Sequence, residues 1–311
     1  MAVSSLQDIK VGSTPLLEFS AEELGLETRL RRIFVKDESE NEFGTFKTRK
    51  AVNVANSWPE IRKEFDYAAA ITSGNYGYAL AQALNRLGTK PVLFVSKDLD
   101  YEIDRKLDEI SILIRLNLER RYLNPLEMGS VAASIRDDLE GKKLQDVTNF
   151  NPGSYTAVFE EVDRDLAREG LRPDYVIVPA GGFELMLSAA HHYFHKDTKI
   201  IGVTTKNPGS VATMLYSKYK PTQYTLNGIK NGKHKTIDAS EQEIIRVYQS
   251  LNHKINCEPS AAAAFIGVER FFPKRAESRF AIIERYLKWS TEPPTVVVVN
   301  TGNGMGNFCT Q

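Results

Sequence analysis

Cysteine, net charge and long apolar runs are what this chain of 311 residues has little of. Its two cysteines, Cys257 and Cys309, lie far apart and outside any CxxC spacing. That excludes a disulfide framework and a thiolate zinc site, and leaves both as free thiols. Lys+Arg and Asp+Glu number 40 each, so there is no excess of cations to grip nucleic acid or an anionic membrane surface. No apolar run reaches the length needed to span a bilayer, and the opening MAVSSLQDIK lacks the basic start and apolar stretch of a secretory leader. The expectation is a soluble, cytoplasmic protein. With 42% hydrophobic and 26% charged residues the composition is globular rather than disordered, and the length allows two domains or one large one.

Short β-branched or apolar runs alternate with helical patterns, which predicts an α/β fold with mostly parallel sheets. Strands are expected at Ile33–Val35, Ala68–Ile71, Val92–Val95, Tyr175–Val178, Ile200–Val203 and Val296–Asn300. Helices are expected at Thr45–Trp58, Tyr76–Leu87, Tyr155–Glu169, Phe183–Phe194, Glu241–Leu251 and Ala261–Arg270. In the Tyr76–Leu87 segment Leu80, Ala83, Leu84 and Leu87 recur at helical spacing, and Gly88 follows as a stop. The polar stretch from Lys206 to Lys235, with Asn227–Gly228 and Asn231–Gly232, reads as a long irregular excursion. Several predicted strands end in glycine-rich or polar loops, and in open α/β sheets ligands bind outside the carboxyl ends of strands.

Six segments occur in order: Thr14–Pro15–Leu16, KDESENEFGTFKTRK around Lys47, TSGNYG at Thr72–Gly77, PAGG at Pro179–Gly182, EPSAAAA from Glu258, and NTGNG at Asn300–Gly304. As an ordered set they resemble the pyridoxal-phosphate enzymes of the tryptophan-synthase β fold (fold type II), and within them the threonine-synthase branch. The resemblance implies two open, mostly parallel α/β domains with the cofactor cleft between them. The smaller domain would span 35–150, and the larger 151–311 with 1–34 packed onto it. It further implies pyridoxal 5'-phosphate as cofactor, an amino acid as substrate, and a homodimer.

By this resemblance Lys47 holds the cofactor as a Schiff base and serves afterwards as the base. The chemistry needs a primary amine to condense with the aldehyde. Gly44 would permit the tight turn before it. TSGNYG follows a predicted strand and opens a predicted helix, a place suited to an anion. The resemblance makes Ser73, Gly74, Asn75 and Tyr76 the binding loop for the substrate carboxylate, with the Asn75 amide beside the cofactor's phenolic oxygen. The same letters also serve a capped strand-to-helix turn through Ser73 and Asn75. Asn151, in the Asn-Pro segment entering the second domain, is a further substrate residue.

The phosphate loop is matched by Gly181, Gly182, Phe183 and Glu184, and here the sequence departs from the family's run of small residues. A carboxylate beside a phosphate repels it unless it points away or meets a cation. Either the backbone amides bind with Glu184 facing outwards, or the loop is remodelled. Thr301 matches the residue that contacts the pyridine nitrogen. A neutral hydroxyl there makes the ring a weaker electron sink than an aspartate would, which suits elimination and replacement better than transamination.

The implied activity is elimination or replacement at the β or γ carbon of an amino acid, as in threonine synthase. A cysteine-synthase-like β-replacement and a serine or threonine dehydratase are alternatives, since Lys47–Thr48–Arg49–Lys50 differs from the usual Lys-Asp-Arg followed by a small residue. A reading from another class is a non-catalytic homologue that binds an amino acid or a protein partner. Glu258 and its alanines read as helix packing behind Pro259. His191 and His195 share a helix face at i,i+4, but no third ligand is evident and no metal site is expected.

Overall fold

The computed structural model describes residues 6–118, 123–216, 234–251, 253–274 and 293–303. Cys309, Gly304 and the Asn227–Gly228 and Asn231–Gly232 pairs lie outside the described residues. In chain order the strands are β1 (Leu16–Phe19), β2 (Ile33–Asp37), β3 (Tyr67–Ile71), β4 (Val92–Ser96), β5 (Ile112–Leu116), β6 (Leu144–Asp146), β7 (Tyr175–Pro179), β8 (Lys199–Thr204), β9 (Lys235–Asp238) and β10 (Val296–Asn300). The helices are α1 (Ala21–Leu24), α2 (Lys47–Ile61), α3 (Asn75–Asn85), α4 (Tyr101–Ile110), α5 (Met128–Ala133), α6 (Thr156–Ala167), α7 (Glu184–His192), α8 (Glu241–Leu251), α9 (Pro259–Ala262) and α10 (Ala264–Phe271). None of the described helices is long and apolar enough to cross a membrane. The α/β class with parallel sheets is as the alternation of patterns predicts.

The chain divides into two compact units. The first contains residues 6–12 and 40–154, with a four-stranded parallel sheet in the order β5-β4-β3-β6. Its central strands β3 and β4 are apolar along nearly their whole length because helices cover both faces, whereas the outer β5 and β6 carry Arg115, Gln145 and Asp146, and the two-residue pleat sorts the side chains. Ala68, Ala70, Leu93 and Val95 join a core with Val54, Trp58, Leu80, Leu84 and Leu107 of α2, α3 and α4. Ala69, Val92, Phe94 and Ile114 point the other way, into a core with Met128, Val131 and Leu139. Residues 6–12, expected with the larger domain, pack here instead. Ile9 is buried in the core that holds Trp58, and the Lys10 carbonyl accepts from the Glu42 N–H at 2.9 Å.

Helix α2 runs past Pro59, where the sequence reading stopped it. The proline sits in the last turn, so few helical bonds depend on it, and the Arg62 N–H still reaches the Trp58 carbonyl at 2.8 Å. Trp58, 1% exposed, anchors that turn.

The second unit contains residues 13–39 and 155–303, with a six-stranded sheet in the order β1-β2-β10-β7-β8-β9. Only the β1–β2 pair is antiparallel. Ile177, Val296 and Val298 join a core with Ile244, Val247 and Leu251 of α8 and Phe265 of α10. The alternate residues Val176, Val297 and Val299 are equally buried but belong to the opposite face, as the pleat requires. Gly267 is a packing requirement, since a Cβ there would lie 2.7 Å from Ile177 Cγ2.

Candidate active site

In the first unit the candidate residues gather at the amino ends of α2 and α3. Gly44 closes a turn in which its N–H donates to the Asn41 carbonyl at 2.8 Å, with φ of +67°. That left-handed value favours glycine. The Asn41 side chain accepts from the Gly12 N–H at 2.9 Å, so residues 6–12 brace the turn from outside. Thr45 Oγ1 then accepts from the Lys47 N–H at 3.3 Å, and Lys47 opens α2. The Lys47 side chain is half-buried, its Nζ 4.6 Å from the centre of the Phe46 ring. Thr48, Arg49 and Lys50 after it are all buried.

Lys50 links the two helices. Its Nζ donates to the Thr148 carbonyl and lies 4.6 Å from the centre of the Tyr76 ring. Tyr76 in turn donates its hydroxyl to the Val147 carbonyl at 2.6 Å. Its phenol is therefore committed to the scaffold, and a ligand contact from Tyr76 falls to its backbone or ring. The Thr72–Gly77 loop joins β3 to α3, and Thr72 Oγ1 accepts from both the Gly74 and the Gly77 N–H, at 3.1 and 3.0 Å. Ser73 is exposed and Asn75 half-buried at the first position of α3. Asn151 is exposed with φ of +44°, and its side chain accepts from the Gly153 N–H at 3.2 Å, which shapes its own turn.

In the second unit the candidates gather at one edge of the sheet. Strands β7 and β10 are parallel neighbours, so the loop 180–183 and the loop 301–303 leave the same edge. Gly181 is packed under the 214–215 backbone, and a Cβ on it would lie 1.9 Å from the Met214 carbonyl oxygen. That segment is tied down by the Met214 N–H donating to Ser260 Oγ at 3.2 Å. Gly182 is exposed, with nothing within 4 Å of where a Cβ would stand. Phe183 takes φ of +63°, a left-handed value that is costly for a bulky side chain, and α7 begins at Glu184. Thr301, 6% exposed, directly follows Asn300, which is fully buried.

Several supporting residues escaped the sequence reading. Thr72 lies inside a motif that drew attention only to the residues after it, while Lys50, Ser260 and Asn300 act through partners distant in sequence. Helix α7 ends at His192, so His191 and His195 do not share one of its faces, and it is His192 that has a carboxylate partner: its Nε2 lies 2.8 Å from Asp163 Oδ2, and Tyr193 and Lys196 bind the same carboxylate. Among the described residues no group of three or more His, Cys, Asp or Glu could hold a metal ion.

Each unit by itself carries donors of the kind that a cofactor with an aldehyde, a phosphate and a heteroaromatic ring needs. A half-buried primary amine opens α2. The first turn of α7 has backbone N–H groups without intrahelical acceptors, and Gly182 leaves the approach to them open. A buried hydroxyl, Thr301, stands at the same sheet edge. The opposing feature is the Glu184 carboxylate, which opens the same helix.

Comparison with known proteins points the same way. The "2-amino-4-ketopentanoate thiolase beta subunit" of Acetoanaerobium sticklandii is 37% identical over 90 residues, covering 27% of this chain and 18% of that subunit. Among solved structures, a hydrogen sulfide-producing enzyme from Fusobacterium nucleatum superposes with a TM-score of 0.71 at 18% identity, covering 96% of this chain and 97% of that one. Diaminopropionate ammonia lyase from Escherichia coli gives 0.70 at 17%, covering 96% and 86%. Identities this low speak to the fold alone. The description "Pyridoxal-phosphate dependent enzyme" belongs to a family whose profile matches residues 8–302, a stretch that holds Lys47, both glycine loops and Thr301. With nearly its whole length matched, the chain belongs to the family of pyridoxal-phosphate dependent enzymes.

Proposed function

We propose that this chain catalyses elimination or replacement at the β or γ carbon of an amino acid, in the manner of threonine synthase. The observation that carries the reading is the buried, neutral Thr301 hydroxyl at the sheet edge that also carries the glycine loop. Bound pyridoxal phosphate supplies an aldehyde for the substrate amine and a conjugated ring that draws electrons from its Cα. Thr301 would meet the ring nitrogen with a neutral hydroxyl and so would not hold it protonated as a carboxylate does. Lys47 Nζ would first hold the cofactor covalently and, once displaced by the substrate amine, take the Cα proton. The 73–76 loop would hold the substrate carboxylate at the start of α3, with Asn75 beside the cofactor's phenolic oxygen and Asn151 at the entrance. Gly181, Gly182, Phe183 and Glu184 would offer backbone N–H groups to the phosphate, with the Glu184 side chain turned away.

Arg49, buried in the first turn of α2, is the residue proposed to meet the second anionic group that threonine synthase requires of its substrate, whereas Lys50 is held by the Thr148 carbonyl. Cysteine-synthase-like β-replacement and hydroxy-amino-acid dehydration differ from this in the carbon that loses its group, in the leaving group, and in whether a nucleophile is added or a keto acid and ammonia are released. The test is the visible spectrum of the purified protein with added pyridoxal phosphate, then borohydride reduction and peptide mapping. The expected result is one fixed adduct on Lys47, absent from Lys47→Ala. Turnover of O-phosphohomoserine, O-acetylserine, serine and threonine, scored by phosphate, acetate or keto-acid release, then separates the leaving groups. Modification scattered over surface lysines would overturn the enzyme reading in favour of a binding protein.

A further inference from the structure

The second unit contains a buried polar clamp around the Thr301 loop that the mechanism above does not use. Asn300 is fully buried, and its side chain makes three bonds. Its Nδ2 donates to Asp37 Oδ1 at 2.8 Å and to the Asn256 carbonyl at 3.0 Å. Its Oδ1 accepts from the Gly302 N–H at 3.3 Å, a bond that spans Thr301. The Gly302 carbonyl accepts from the Glu258 N–H at 3.0 Å. Gly302 itself has φ of +134°, which glycine tolerates and other residues rarely adopt. The residues on both sides of Thr301 are thus fixed from buried positions.

Asp37 and the Asn256 carbonyl together set which way this clamp is wired. Asp37 is 7% exposed at the end of β2, where it pairs with Asn300 across the strands, and its N–H donates to the Pro15 carbonyl at 3.0 Å. Its Oδ1 also accepts from the Ser39 hydroxyl at 2.6 Å and the Ser39 N–H at 3.1 Å. A carboxylate only accepts, so it draws the NH2 end of the Asn300 amide and leaves the carbonyl end for Gly302. An amide in place of Asp37 could present either end, which would leave the Asn256 carbonyl as the one obligatory acceptor that orients Asn300 and would hold the Gly302 bond less firmly.

We propose that Asp37 is a positioning residue of the reaction: through Asn300 it fixes the loop that holds the Thr301 hydroxyl in place. This rests on the proposed role of Thr301 at the pyridine nitrogen. Asp37 touches no reacting atom in this scheme and acts only through the loop.

The test uses Asp37→Asn, Thr301→Val and their combination in the cofactor-loaded protein. Asp37→Asn is expected to lower kcat about tenfold with little change in KM, because a small misplacement of a positioning group is costly. It is also expected to shift the absorption maximum of the bound cofactor in the same direction as Thr301→Val. The double variant should lose no more than Thr301→Val alone, since two residues in one chain of action are not additive. A multiplicative loss, or an unmoved spectrum in Asp37→Asn beside a moved one in Thr301→Val, would overturn the proposal. Hydrogen exchange of the Gly302 amide provides a readout that needs no cofactor: Asp37→Asn should speed it about tenfold, as a buried amide that loses a fixed acceptor opens more often. Unchanged exchange would refute the clamp. Asn300→Ala, which removes all three side-chain bonds, should give the same spectral shift and faster exchange if Asp37→Asn does not fold. Failure of the cofactor reading shows itself separately, as no Lys47 adduct in the unsubstituted protein.

Discussion

Lys36 and Glu161 form a buried ion pair, and removing one partner is the sharpest test of how the second unit is held together. The Lys36 side chain is 0% exposed and that of Glu161 9%. Lys36 Nζ donates to Glu161 Oε2 at 2.7 Å and to the Thr14 carbonyl at 2.5 Å. The other Glu161 oxygen accepts from the Ser13 N–H at 3.0 Å. One pair thus pins β2, α6 and the segment entering β1. Lys36→Met keeps the aliphatic stem and deletes the ammonium, which leaves the buried carboxylate without its counter-charge and the Thr14 carbonyl without this partner. Breaking a buried pair in this way costs about 3–5 kcal/mol. For a unit of this size each kcal/mol moves the midpoint by about 2–4 °C, so a fall of roughly 6–20 °C is expected. Calorimetry on Lys36→Met, Glu161→Gln and the double variant checks this, with a transition assigned to the first unit serving as control. The double variant should lose less than the sum of the singles, because it no longer buries a lone charge. A loss below about 1 kcal/mol for Lys36→Met, or strict additivity, would refute the argument.

The two glycines of the candidate phosphate loop should behave oppositely. Gly181→Ala puts a Cβ 1.9 Å from the Met214 carbonyl and must displace that backbone, so cofactor affinity is expected to fall sharply in a spectroscopic titration; Gly182→Ala meets nothing within 4 Å and should bind nearly as the unsubstituted protein does. Gly77→Ala would bring a Cβ to 2.5 Å from Thr72 Cγ2, pushing away the hydroxyl that organises the 72–77 loop; the expected readout is a raised KM for the amino-acid substrate. Acid should destabilise the second unit through Glu243. Burial alone would raise its carboxyl, but hydrogen bonds from Arg270 and Ser240 outweigh burial and bring it from 4.5 to about 2. A depressed carboxyl stabilises the fold fully above its unfolded value and loses that contribution as pH falls from about 4.5 towards about 2. Discounted for solvent screening, the contribution is about 1 kcal/mol, and Glu243→Gln should flatten the acid limb of stability against pH. Asp163 acts in the same direction, since the hydrogen bonds from Lys196, His192 and Tyr193 overcome the burial that opposes them.

Much of the fold was legible because its signals are local. The apolar runs at β3, β4, β7, β8 and β10 lie where the alternation placed strands, and α3, α6, α7 and α8 follow their periodicity to within a few residues. Helix α4 was missed although its signal was present: Asp100 caps it through the Glu102 and Ile103 N–H groups, and Ile103, Leu107 and Ile110 recur at helical spacing. Strands β1 and β6, of four and three residues, are too short to show a period. The candidate site was read mainly as an ordered set of loops at strand ends, and those loops do stand at strand-to-helix turns or sheet edges. The i,i+4 spacing of His191 and His195 gives no hint of the partner that the fold supplies to this segment, Asp163, 29 residues before His192.

The sequence alone thus determined the α/β class and the position of Lys47 at a helix start, because each depends on residues a few positions apart, and it pointed to the family through the order of six short motifs, each of them local. Only the tertiary structure decided which buried polar groups meet. Lys36 and Glu161 are 125 residues apart, Asp37 and Asn300 263, and Lys50 and Thr148 98. No local pattern encodes such pairs, since a buried charge or amide is tolerable only when the fold brings it a partner, and that partner is fixed by strand order and helix packing. The Cys257 thiol shows the same rule: burial, with the Glu258 and Asp37 charges adding to it, pushes it up to about 12, whereas its sequence neighbourhood marked it simply as a free thiol.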